Sequence, residues 1–200
     1  HRDLHSFPTR RSSDLEKSRH RLELLYDVGI SLSSEKHLPK LLEKIIQAAK
    51  CITNADGGTL YLLSEDGRSL RYEIVRTDSL DLAYGGSAPL PASGIFADLP
   101  LYRPDGSNND AIVAAYAALS ASTVNIADAY AVKDFDFTGP RAFDARMGYR
   151  SRSFLTVPMK NHENELIGVL QLINAIDPET GKTTVFRETD QRLVESLASQ

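Results

Sequence analysis

Apolar residues crowd most densely in two runs towards the C-terminal end, SFLTVPMK and LIGVLQLINA, separated by NHENE, within residues 153–175. β-Branched and aliphatic residues fit a pleated surface and the polar interruption belongs in a turn, so the pattern predicts a hairpin. Its second arm is apolar at nearly every position except Gln171 and Asn174. A strand with one wet face would alternate; this one predicts a central strand covered on both sides.

Near the other end, Leu22, Leu25, Gly29 and Leu32 recur at helical spacing, a narrow seam suited to pairing with another helix. Ser33 and Ser34 interrupt it. A second helix is expected from about His37, with Pro39 tolerated in its first turn, and the wider stripe of Leu38, Leu41, Leu42, Ile45, Ile46 and Ala49 suits the face of a sheet. Cys51, near its end, is expected to be a small buried hydrophobe. Residues 58–76 read as another hairpin around Glu65, Asp66 and Gly67, where glycine accepts positive φ.

Residues 78–106, rich in Gly and Pro, are expected to form a long irregular segment of the kind that serves as a lid. Asn108, Asn109 and Asp110 then read as the cap of an alanine-rich helix over 111–122. A short strand follows at 123–126. Residues 127–148 are expected to be irregular apart from a short helix near 141–147, and 186–200 to close the chain as a helix with Phe186, Leu193 and Leu197 on one face. The order predicts an α+β domain: an antiparallel sheet with helices on both faces.

Composition narrows the partners. With 200 residues, 42% of them hydrophobic, the chain supports one sizeable core. A formal net charge of −4 argues against a nucleic-acid surface, which needs clustered Lys and Arg. A single cysteine excludes an internal disulfide and a multi-thiolate metal site, and fits a reducing, cytoplasmic setting. The longest apolar stretch, 111–119, is about half of the roughly 20 residues a spanning helix needs, so no membrane insertion is expected. Residues 1–15 lack any helical or strand period and resemble translated adaptor read-through, so they are set apart as a non-native tail.

Catalytic signatures are missing from the sequence. Gly85 and Gly86 open no phosphate loop, since no Gly-Lys-Ser/Thr ending follows. No serine sits in a G-x-S-x-G elbow and the histidines are scattered, so no catalytic or metal-binding residues, and no enzymatic activity of this segment, are expected. The chemistry that stands out lies at 128–152, where Asp128, Asp134, Asp136 and Asp144 alternate with Arg141, Arg146, Arg150 and Arg152 among Tyr130, Phe135, Phe137, Phe143 and Tyr149. Such charge can pair locally in solvent and contribute little. It can equally form an anion pocket, since Arg forks match phosphate oxygens and aromatic residues mixed with a few polar groups line ligand sites.

Three strings in order, VNIADAY at 124–130, MGYRSRS at 147–153 and IGVLQLIN at 167–174, resemble a GAF domain, in particular the N-terminal sensory GAF modules of bacterial HD-GYP phosphodiesterases, nucleotide cyclases and histidine kinases. The resemblance implies a GAF/PAS-like fold: a six-stranded antiparallel sheet with helices on both faces and a pocket roofed by the alanine-rich helix and the 128–148 loop. It divides the chain into a dimerisation helix at 16–36, a core at 37–185 and a C-terminal helix at 186–200 leading to an output domain expected after Gln200. It implies a homodimer through the terminal helices and a small-molecule effector. Tyr130 and Phe143 would close over that effector, Asp128 and Asp144 accept its hydrogen bonds, and Arg150 meet an anionic group, while Met147 stands where relatives often carry a hydroxyl residue.

Cyclic-nucleotide binders of this family pair Asn-Lys with a later Phe-x-x-x-Asp-Glu. Asn174, Phe186 and Asp190 match, whereas Ala175 replaces the lysine and Gln191 the glutamate. No resident cofactor is implied. The resemblance therefore supports a regulatory sensor, with a cyclic nucleotide as one implied ligand; the three departures support a ligand-free dimerisation module instead. The methionine sulfoxide reductase and bilin branches are disfavoured, because one cysteine cannot form the disulfide of the first and Cys51 precedes the strands that would face a chromophore.

Overall fold

The computed structural model describes residues 16, 19, 23, 26, 29, 30, 36–91 and 96–199. The tail at 1–15 and the seam residues Leu22, Leu25 and Leu32 lie outside the described residues. Helix α1 (Leu38–Thr53) leads into strand β1 (Ala55–Leu63), which hairpins into β2 (Ser69–Thr77). Then come β3 (Leu82–Gly85), β4 (Leu99–Pro100), α2 (Val113–Ser120), β5 (Val124–Ile126), α3 (Thr138–Met147), β6 (Phe154–Lys160), β7 (Leu166–Ile176), β8 (Thr183–Thr184) and α4 (Glu188–Ala198). One antiparallel sheet runs in the order β3-β2-β1-β7-β6-β5, with β4 attached to β2 and β8 to β7.

The doubly apolar run at 166–176 sits in the middle of the sheet, between β1 and β6. Its even-numbered side chains Leu170 and Leu172 join Leu42, Ile46, Ile52, Leu60 and Ile74 and the α4 residues Val194 and Leu197 in the largest core. Val169 points the other way, to Tyr61, Leu70, Ala114, Ala115 and Ala118 beneath α2. A β-bulge makes the second face possible on β2. Leu60 pairs with Ile74 but Tyr61 pairs with Tyr72, so Glu73 is extra and Tyr72 and Ile74 face opposite sides, where an unbroken strand would place them together. Pro158 in β6 falls beyond the reach of β5, which pairs only with Phe154–Thr156, so its missing N–H leaves no central ladder broken.

Several expectations change. The 78–106 segment is not wholly irregular: β3 and β4 both pair with β2 and extend the sheet edge. Asn109 does not cap α2, whose N-cap is Ile112 with no side-chain hydrogen bond; its amide donates instead to the Pro100 carbonyl at 2.8 Å. Leu38 is 56% exposed at the start of α1, outside the stripe that meets the sheet. Cys51 is exposed as well, because Ala49 and Ile52 face the sheet and about 100° of rotation per residue turns position 51 outward. Gly85 and Gly86 form a turn with φ of 75° and 67°, strapped to α1 by Ser87, whose N–H and hydroxyl donate to the Glu43 carboxylate at 2.7 and 3.0 Å.

Candidate functional site

Two segments meet at one end of the sheet: the loop after β5 and the stretch that leaves α3 and enters β6. Helix α3 stops at Gly148, whose φ of 64° suits the left-handed C-cap that glycine accepts without penalty, and its N–H bonds the Asp144 carbonyl. That stop turns Tyr149, Arg150, Ser151 and Arg152 back towards the 128–130 loop.

Asp144 is the centre. Its carboxylate is buried and accepts three hydrogen bonds: from the Tyr130 hydroxyl at 2.6 Å, the Ser151 N–H at 2.8 Å and the Ser151 hydroxyl at 2.8 Å. The bond to Asp144 raises the Tyr130 phenol above its ordinary range, with lesser help from burial, since ionising it would set two anions together. The Tyr130 N–H donates to Asp128 Oδ1 at 2.9 Å, an Asx turn, while Asp128 Oδ2 lies 3.3 Å from Arg152 Nε.

Two guanidinium groups lie against the Tyr130 ring, Arg150 at 4.1 Å and Arg141 at 5.2 Å from its centroid, each attracted by the ring quadrupole. Arg141 also donates to the Ala129 carbonyl at 3.1 Å. Arg150 makes no side-chain hydrogen bond or ion pair among the described residues, and it is exposed. Its fork is thus oriented by stacking but chemically open.

Of the expected ligand residues, the fold gathers Asp128, Tyr130, Asp144 and Arg150 into this cluster. Phe143 is half-buried on α3, and Met147 is 41% exposed on its last turn; neither takes part in the cluster's hydrogen bonds. Nothing in the spacing singles out Ser151, and Asn174 stands out in the sequence only as a polar exception in the apolar run and as one position of the family motif, not as the staple behind this site. Asn174 adopts φ of 56°, and its amide donates to the Tyr149 hydroxyl and the Arg150 carbonyl while its oxygen accepts from the Arg152 and Ser153 N–H groups. The Tyr149 hydroxyl in turn donates to Asp56 at 2.6 Å. Burial, then the Asp56 bond, push this phenol far up.

The segment before α4 is held without a lysine. Asn125 Nδ2 donates to the Phe186 carbonyl at 3.3 Å and to Gln191 Oε1 at 3.2 Å, and Asp190 Oδ2 accepts the Arg187 N–H at 3.2 Å. A groove of about 300 Å³ lies elsewhere, between α1 and β2, lined by Gln47, Lys50, Cys51, Asn54, Ala55, Arg76 and Asp78. Its cations are already matched, Lys50 by Asp78 and Arg76 by Glu43, so it offers no free charge. Among the described residues there is no cluster of His, Cys, Asp and Glu able to hold a metal ion, and no helix long and apolar enough to cross a membrane.

The family model described as "GAF domain" matches residues 37–200. Among curated proteins, the chain is 26% identical to a dual 3′,5′-cyclic-AMP and -GMP phosphodiesterase 11 of Drosophila melanogaster, over 96% of this chain and 12% of that protein. It is 28% identical to dual 3′,5′-cyclic-AMP and -GMP phosphodiesterase 11A of Takifugu rubripes, over 87% of this chain and 17% of that protein. The chain thus spans less than a fifth of the length of these relatives.

Solved structures of the same fold include the GAF domain of an Acinetobacter phosphoenolpyruvate-protein phosphotransferase, with 16% identity and a TM-score of 0.58 over 90% of this chain and 89% of that one. Another is the free methionine-R-sulfoxide reductase of Neisseria meningitidis in complex with its substrate, with 19% identity and a TM-score of 0.58 over 89% and 83%. At such identities the likeness is one of fold, and the fold carries regulatory and enzymatic members alike. With its family model matched from the first turn of α1 to the last residue, this chain belongs to the GAF domain family, regulatory small-molecule-sensing modules.

Proposed function

We propose that this GAF domain is the input of a larger signalling protein and that its effector is a cyclic nucleotide, bound at the Tyr130 and Arg150 cluster. The observation that carries the reading is the open guanidinium of Arg150, stacked on a ring that is itself fixed by a buried carboxylate. Fixing the fork beforehand lowers the ordering cost of gripping a phosphate bidentately. Asp144 serves as the anchor of that device, with its carboxylate spent on Tyr130 and Ser151. The phosphodiesterase relatives support a nucleotide ligand and an output enzyme acting on cyclic nucleotides. The effector shifts the output only by its differential affinity for two packings of the domain.

The test is calorimetric titration and thermal shift of the 200-residue chain with cyclic GMP and cyclic AMP. A ligand at a hundred times its dissociation constant adds about 2.7 kcal/mol to stability. Arg150→Gln is expected to weaken binding at least tenfold while hardly moving the melting temperature of the free protein, and Tyr130→Ala to abolish binding. A wild-type chain that ignores both nucleotides at millimolar concentration sinks the proposal in favour of a ligand-free dimerising module.

A further inference from the structure

The groove between α1 and β2 lies on the sheet face opposite the alanine-rich helix. Arg76, on its wall, follows Ile74 by two positions in β2 and so shares the face that Ile74 presents to α1. The groove holds about 300 Å³, the lower end of the range for small-molecule sites. Each of its cations has a counter-ion, but the two pairs are unlike. Arg76 is used up, because its Nη groups donate to the Val75, Tyr84 and Gly85 carbonyls as well as to Glu43.

Lys50 is different. Its side chain is only 9% exposed, and its ammonium, which carries three N–H donors, bonds Asp78 alone among the described residues. The Asp78 side chain is 75% exposed, a carboxylate that reaches in from the rim and stays largely in water. A buried ammonium is unfavourable until its protons are matched, and the groove that Lys50 lines leaves room for further acceptors. A solvated carboxylate is easily drawn back into water, since its attraction is weakened by salt and by the ordering of its own side chain.

We propose that this groove is a ligand site in its own right, for a small organic carboxylate that takes the place of Asp78 at Lys50. The Asp78 carboxylate shows the chemistry that the ammonium accepts, and Asp78 acts as a built-in competitor that the ligand displaces. With Asp78 matching Lys50 and Glu43 matching Arg76, the charges balance, so a single negative charge suits the site better than a phosphate dianion. Gln47, exposed on the rim, adds a carboxamide for a polar group on the body of the ligand. The proposal does not rest on the cyclic-nucleotide reading.

Cys51 supplies the reporter, since it is the single cysteine of the chain, lines the groove and is exposed. The rate of its alkylation by an uncharged maleimide is measured on the 200-residue chain in rising sodium acetate or sodium lactate, against sodium chloride and sodium phosphate at equal ionic strength. Both carboxylates are expected to slow the reaction and to saturate in the millimolar range, and phosphate to protect less. Asp78→Asn removes the competing charge and should lower the half-protecting concentration about tenfold. Lys50→Met keeps the buried stem and should melt near the wild-type temperature, because an apolar isostere replaces a buried ion pair at little cost, yet it should lose the protection. A rate that neither carboxylate changes, in wild type or in Asp78→Asn, overturns the site. So does protection that persists in Lys50→Met or weakens in Asp78→Asn, and phosphate protecting more strongly than either carboxylate overturns the assigned chemistry.

Discussion

Asp144 shows how much a single buried carboxylate organises. Each of its oxygens meets a donor, and the Ser151 N–H that it accepts belongs to a residue that is itself buried. An asparagine can keep this pattern, with its oxygen towards Tyr130 and the Ser151 N–H and its amide towards the Ser151 hydroxyl, which turns round to accept. Asp144→Asn should therefore cost only the charge-assisted part, about 1 kcal/mol. Asp144→Ala strands the Ser151 N–H and frees Tyr130, and should cost about 3 kcal/mol. Urea unfolding of the two variants checks the gap. Equal losses would mean that the carboxylate is not what holds Tyr130 and Ser151 together.

Within the sheet, β1 and β7 approach so closely at Gly168 that no side chain fits. A Cβ there would lie 2.1 Å from the Tyr61 carbonyl oxygen and 2.8 Å from Met159 Cε. The methionine can move, but the β1 backbone cannot without breaking the ladder, so Gly168→Ala is expected to cost about 3 kcal/mol. At Gly67, open on all sides with φ of 67°, alanine should cost only about 1 kcal/mol. Denaturant midpoints of the two variants test the contrast; a harmless Gly168→Ala would mean that the strands are not in this register. The same element shows what was legible beforehand. Two-sided apolarity marked β7 as central, and the amphipathic stripe marked α1, because burial is written in residue type and period. The Arg and aromatic mixture at 128–152 likewise marked where Tyr130, Asp144 and Arg150 converge. The bulge at Glu73, which sends Tyr72 and Ile74 to opposite faces, left no trace in the pattern, since one extra residue is invisible to a period-two reading. Nor did the spacing indicate β3, which sits among glycines, or Ser151 and Asp56, whose roles depend on contacts between distant loops.

Across the whole molecule, the irregular segments at one end of the sheet are joined by a polar chain that reaches from α1 to the loop after β5. Lys50 pairs with Asp78, Ser79 bonds Asp56, Asp56 accepts from Tyr149, and Tyr149 and Arg152 meet at Asn174, with Arg152 continuing to Asp128. Tyr149 is the middle of that chain, and its protonation state is linked to folding. Burial and the Asp56 bond raise its folded pKa, and Tyr61 is raised by burial and then by Tyr72. An unfolded tyrosine titrates near about 10. Below that pH both states hold the proton and the contribution is fully present; above it the unfolded chain releases a proton that the folded one retains, and stability falls as pH rises. Each such phenol contributes a slope of at most about 1.4 kcal/mol per pH unit. Unfolding free energies measured from pH 8 to 11.5 should thus be flat and then drop beyond pH 10. Tyr149→Phe removes the bond to Asp56, so it should be less stable than wild type at pH 8, by about 1 kcal/mol, yet decline less steeply, so that the two curves converge in alkali. Parallel curves would show that Tyr149 reaches its anionic form as readily in the folded protein as in the unfolded chain, and that the chain from α1 to the loop after β5 does not run through its proton.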